Sequence, residues 1–145
     1  MATLARSNET IIMILLKAYQ YLFYKLYRFY ETSMYSRWWS DWKALVTIIV
    51  MEMWTLFSSA FYYQAFTGNV PDFDFFIWTI SAILAIWNWY LFEHQDKWKN
   101  VVEEFDKLPK KQNRIGSFIV LVVILASIAN VVFSVYMLSQ SVAVD

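Results

Sequence analysis

The chain contains no cysteine, one histidine, two glycines and two prolines. Without cysteine there is no disulfide framework and no thiolate chemistry. One histidine, His94, and no thiol leave nothing to build a zinc or haem site of the His/Cys kind. The two glycines, Gly68 and Gly116, stand far apart, so no Gly-rich loop exists to cradle a phosphate. No G-x-S-x-G elbow accompanies His94, which removes the usual setting of a Ser-His-Asp triad. So little glycine and proline suits long helices with short joints better than elaborate loops. Net charge is also absent: 12 basic residues balance 12 acidic ones, which argues against a nucleic-acid partner. These absences together point away from an enzyme and away from any bound cofactor or metal.

Apolar surface is what the chain has in excess. Of its 145 residues 59% are hydrophobic and 21% aromatic, and the mean hydropathy is +0.38. Ordinary soluble domains hold roughly 45–50% apolar residues. Here the surplus is gathered into long runs, which a single domain of this size cannot bury. Three runs are long enough for a bilayer, which takes about 20 mostly apolar residues. They cover 44–66, 73–92 and 115–138. Backbone in hydrocarbon must bond to itself, so each run is expected to be a helix.

The basic residues orient these spans. Arg6, Lys17, Lys25, Arg28, Arg37 and Lys43 precede the first. Lys97, Lys99, Lys107, Lys110, Lys111 and Arg114 lie between the second and third. The "TGNVPD" connection and the tail after Leu138 have none. The positive-inside rule then puts the N-terminus and the 93–110 connection in the cytoplasm and the C-terminus outside a cell (plasma or inner) membrane. Trp38, Trp39 and Trp42 before the first span, and Trp87, Trp89 and Tyr90 closing the second, suit the inner interface.

The segment 8–31 is apolar enough to suggest a fourth span. Lys17 would then lie near mid-membrane, at roughly 2.5–3.5 kcal/mol. Lys17, Gln20, Lys25 and Arg28 share one face at 100° per residue, and six tyrosines lie between Tyr19 and Tyr35. An amphipathic helix along the inner interface fits better. In 93–110, Trp98, Val101, Val102, Phe105 and Leu108 recur at helical spacing, so the second span is expected to continue as a cytoplasmic helix ending near Pro109. Its apolar stripe needs a partner, either the N-terminal helix or a neighbouring subunit.

The fold class is therefore all-α: an integral membrane protein with three transmembrane helices, an interfacial N-terminal helix and a cytoplasmic helical extension. Inside the spans the polar residues form narrow stripes: Glu52, Thr55 and Ser59; Ser81 and Asn88; Ser127, Asn130 and Ser134. Such stripes face protein rather than lipid. At ~1.5 Å per residue, Glu52 lies ~12 Å and Asn88 ~6 Å from the inner edge of the core, with no cation at the depth of Glu52. Glu52 is then either a protonated, hydrogen-bonded link between helices or a group bathed by water inside an assembly. Two functions follow. One is a small homo-oligomeric pore or channel with Glu52, and Asn130 with it, facing a central axis. The other is a non-catalytic structural or signalling subunit that docks a partner membrane subunit. The bilayer is a partner in both.

Overall fold

The computed structural model describes residues 2–32, 38–70 and 73–142. Arg37, Pro71 and Asp72, which belong to the basic cluster and the "TGNVPD" connection, lie outside them. All regular structure among the described residues is helical. Helix α1 covers Ala2–Thr32, α2 Ser40–Thr67, α3 Phe73–Asn88, α4 Lys97–Asp106 and α5 Lys110–Val142. Both α2 and α5 are long and apolar enough to cross a membrane.

Helix α2 starts after Trp39, which adopts a left-handed backbone, and stops at Gly68. Gly68 has φ 68°, a conformation that costs a glycine little, and its N–H closes on the Gln64 carbonyl. Helix α5 lies along α2 and points the same way. At one end Thr47 and Ser117 share a groove. At the other, the Tyr62 hydroxyl donates to the Asn130 side-chain oxygen at 3.1 Å, and the Tyr62 and Phe133 rings meet. Gly116, Val120 and Ser134 are buried on one side of α5, opposite Ala44, Leu45, Ile48, Met51 and Ser58 of α2. Because the two helices are parallel, residues 68–109 must carry the chain back over the length they share. Helix α3 makes that return, meeting α2 at Met53 and Glu52.

The end at which α2 and α5 begin is built differently. Helix α3 runs into a π-helical turn, Trp89–Glu93, and then into a tight turn at His94–Asp96. Gln95 and Asp96 both take positive φ, 58° and 56°. A left-handed non-glycine residue costs roughly 1–2 kcal/mol. The expected straight continuation of the second span is thus broken: α4 begins afresh at Lys97. The break turns α4 across α1, where Val101 and Phe105 are buried. Helix α1 is the partner that their apolar spacing required. Lys97 reaches back to the Tyr90 carbonyl at 3.3 Å and sits 3.8 Å from the centre of its ring.

The core lies at this end, between α1, α2, the π turn and α4. Phe23 and Phe92 are fully buried and stack with centroids 4.2 Å apart. Tyr24, Leu26, Ala44, Leu45, Ile48, Val101 and Phe105 complete the cluster. The first half of α1 does not join it. Ile11, Ile12, Met13, Ile14, Leu15 and Leu16 are all exposed, and six consecutive residues go round the helix more than once. There the helix is apolar on every side rather than amphipathic.

Gly116 allows the closest approach between α1 and α5. A Cβ at 116 would stand inside the Tyr21 phenol, whose hydroxyl donates to the Asn113 side-chain oxygen at 3.1 Å. Gly116→Ala should destabilise the fold by about 1–2 kcal/mol, since the ring must move and loses that bond. In a Tyr21→Ala background the same change should become neutral or stabilising, because alanine is the better helix former by about 1 kcal/mol. Thermal unfolding of the four proteins in detergent reads the sign reversal; an unchanged sign would place the close contact elsewhere.

Candidate functional site

Three helices meet at Glu52. It lies in the middle of α2, where the apolar run leaves it no charged neighbour. Asn88, fully buried at the end of α3, donates to Glu52 Oε2 at 2.8 Å through Nδ2. The same amide nitrogen donates to the Leu84 carbonyl at 3.0 Å, one turn back on α3. That second bond fixes which way the amide points, since a carbonyl accepts only from nitrogen. Asn88 Oδ1 must then face the third member, Tyr19 of α1. The Tyr19 oxygen is 2.6 Å from Glu52 Oε1 and 2.5 Å from Asn88 Oδ1.

The phenol of Tyr19 has one proton to give and stands within bonding distance of two oxygens, so it bridges Glu52 Oε1 and Asn88 Oδ1 while Asn88 Nδ2 donates to Glu52 Oε2. Both carboxyl oxygens of Glu52 thus have a partner from a neighbouring helix.

The other polar residues of the stripes behave separately. Thr55, Ser59 and Ser127 return their hydroxyls to carbonyls four residues back on their own helices, at 2.9–3.0 Å. Ser134 is buried and bonds the Val131 carbonyl. Ser81 donates to the Ile77 carbonyl at 2.6 Å and lies 3.2 Å from Met53 Sδ. Asn130 pairs with Tyr62. So Glu52 and Asn88 come together, Asn130 makes a separate link, and the hydroxyls serve their own helices. Sequence spacing missed Tyr19 and Tyr62, each of which supplies a phenol from a neighbouring helix. Tyrosine abundance near the inner interface was the available signal, and it carried no partner assignment. Lys17, the cation nearest in sequence to Tyr19, turns away and pairs with Glu104 at 2.5 Å.

A second polar feature lies past the end of α3, where the π turn closes. Glu93 Oε1 is buried without a hydrogen-bond partner among the described residues. Burial first, then the neighbouring Asp41 and Asp96 carboxylates, push its pKa up to about 7. His94 stacks on Tyr90 with centroids 5.2 Å apart. Among the described residues no group of three or more His, Asp or Glu side chains is arranged to hold a metal ion.

The fold and the ring define a helical chain whose intramembrane-type polar groups bond to one another, on a scaffold with two helices able to cross a bilayer. No family model matches the chain, and neither a curated protein nor a solved structure does.

Two outcomes are expected here. Glu52→Gln keeps one donor toward Tyr19 and one acceptor for Asn88, so stability should be almost unchanged. Glu52→Leu and Tyr19→Phe each break the ring and should cost about 1–2 kcal/mol, read as loss of thermal stability in detergent. A Gln variant as damaged as the Leu variant would mean that the carboxylate form is the one that matters. For Glu93 the sign follows from a folded-state pKa above the unfolded value. Between about 4.5 and 7 the folded chain holds a proton that the unfolded chain releases, so stability falls as pH rises through that window. Glu93→Gln should remove this part of the pH dependence and unfold at a higher temperature than wild type at pH 8, with little difference at pH 4.

Proposed function

We propose that the protein is a three-span membrane protein acting as a non-catalytic structural or signalling subunit, with α1 along the cytoplasmic interface and the C-terminus outside. The observation that carries this is the closed Glu52–Tyr19–Asn88 ring. A carboxyl that lines an ion path must face water and be free to ionise. This one is turned inward between three helices of a single chain, with its hydrogen bonds filled. What supports the third span is the parallel course of α2 and α5, which requires a return between them. Helix α3 has 16 residues, and the first four of the π turn, to Phe92, extend it to 20, ~30 Å at ~1.5 Å each, the thickness of a hydrocarbon core. The outer faces of α3 and α5 are aliphatic and aromatic, with Trp78, Ile86, Phe118, Leu125 and Val132 well exposed, as lipid or an apolar partner helix would demand.

The chain has no native cysteine, so single cysteines report topology cleanly. Cysteines replacing Asn69 and Val142 should label from outside intact cells with an impermeant thiol reagent, and one replacing Asn100 should not. Equal labelling at Asn100 and Asn69 would overturn the orientation. Purified protein in liposomes should pass no cations. Cation flux that is altered in Glu52→Gln would restore the oligomeric pore and displace the subunit role.

A further inference from the structure

Between the C-terminal half of α1 and the inner ends of α2 and α5 lies a groove of about 590 Å³, within the ~300–1,000 Å³ of small-molecule sites. Its walls differ along its length. Val120, Leu121 and Ile124 of α5 form an apolar side, while Lys25 and Arg28 of α1 stand at one end near Ser117. Lys25 and Arg28 are three residues apart and so share a face of α1. The apolar wall begins five residues past the start of the third span and runs on for ~6 Å, four steps of ~1.5 Å from Val120 to Ile124. The groove thus has a cationic end at the cytoplasmic boundary and a greasy floor inside the inner leaflet.

The donors at the cationic end are only partly used. Lys25 Nζ has three hydrogens. Its acceptors are the Asn113 carbonyl at 2.9 Å and the Asn113 side-chain oxygen, which leaves one donor over. No carboxylate pairs with Lys25 among the ion pairs of the described residues. Arg28 gives Nε and one terminal N–H to Asp106, bonds the Tyr24 hydroxyl as well, and keeps two of its five donors. Burial lowers the Lys25 pKa, with Asp106 only partly offsetting it, as expected of an ammonium that lacks an anion at its own position. Ser117 already donates to the Asn113 carbonyl and adds no donor.

We propose that this groove binds one anionic phospholipid of the inner leaflet, its phosphate on Lys25 and Arg28 and an acyl chain along Val120, Leu121 and Ile124. The occupant follows from the order of the walls. A soluble anion would use the cations and leave the apolar wall wet. A neutral lipid would use the wall and leave the spare N–H donors unmatched. The proposal rests on the membrane placement above, and the two fail differently. A chain that stays in solution without detergent defeats the placement. A membrane-embedded chain that shows no lipid preference defeats only the groove.

The test uses the full chain in phosphatidylcholine vesicles containing a minority of phosphatidylglycerol, followed by gentle extraction and native mass spectrometry. One phosphatidylglycerol should stay with each chain, against the bulk composition. Lys25→Gln, which can still bond Asn113, should lower the preference for phosphatidylglycerol about fivefold, the worth of one basic residue at a membrane surface. Leu121→Trp, at an exposed wall position that fills the groove, should lower retention of both lipids. Lys110→Gln, exposed and off the groove, should change neither. Equal retention of the two lipids by wild type would overturn the proposal. So would a Lys110→Gln loss as large as that of Lys25→Gln, or release of the lipid by excess inorganic phosphate.

Discussion

One constraint organises the molecule: a carboxyl group in the middle of an apolar helix needs partners, and they come from two other helices. Leaving such a group unsatisfied costs several kcal/mol in an apolar medium, more than any single contact elsewhere in this small protein contributes. Glu52 solves it with Asn88 and Tyr19, and each solution has a structural consequence. Asn88 ties the end of α3 to the middle of α2. Tyr19 requires α1 to pass close enough to that level to deliver a phenol. Once α1 is held there, Phe23 stacks on Phe92, Tyr30 reaches Thr47 at 2.8 Å, and α4 has a surface to cross. The polar ring therefore sets the position of the helix on which most of the buried core depends.

The packing of α1 on α4 is then held by burial more than by charge. Lys17–Glu104 and Arg28–Asp106 join α1 to α4, but all four side chains are more than one-third exposed. Such pairs are worth about 0–1 kcal/mol and weaken with salt. The aromatic side chains beside them contribute more. Burying one large apolar side chain is worth about 1.5–3 kcal/mol, and Phe23, Phe92 and Phe105 are all buried here. The same comparison explains how the left-handed backbone at Gln95 and Asp96 is tolerated. Its cost is offset by bringing Val101 and Phe105 onto Tyr21 and Tyr24, where ring centroids are 5.1 and 5.6 Å apart.

The helices of this fold were legible in the sequence because their signals are periodic and long. Ser40–Thr67 and Lys110–Val142 each enclose the apolar run assigned to them, with extra turns at the ends, where hydropathy gives out before the hydrogen-bond ladder does. The apolar spacing of Val101 and Phe105 correctly demanded a partner. The break at Gln95 and Asp96 was not legible, because neither residue is a glycine and no proline precedes it; the turn is imposed by packing. The first half of α1 also departs from the pattern. Its cations lie at Lys17 and beyond, and the amphipathic face they define does not extend back over Ile11–Leu16.

The candidate site was half legible for a related reason. Glu52 and Asn88 stand out because polar residues are rare in apolar runs, and their depths, reckoned along straight helices, fall within ~6 Å of each other. A tyrosine in a segment with six tyrosines does not stand out at all. What distinguishes Tyr19 is geometry: it is the phenol that meets both the carboxyl and the amide. That difference decides how Glu52 should be understood. With two members, a carboxyl and an amide, one carboxyl oxygen stays open and can face water. With three, both carboxyl oxygens have partners, and the group is where α1, α2 and α3 meet.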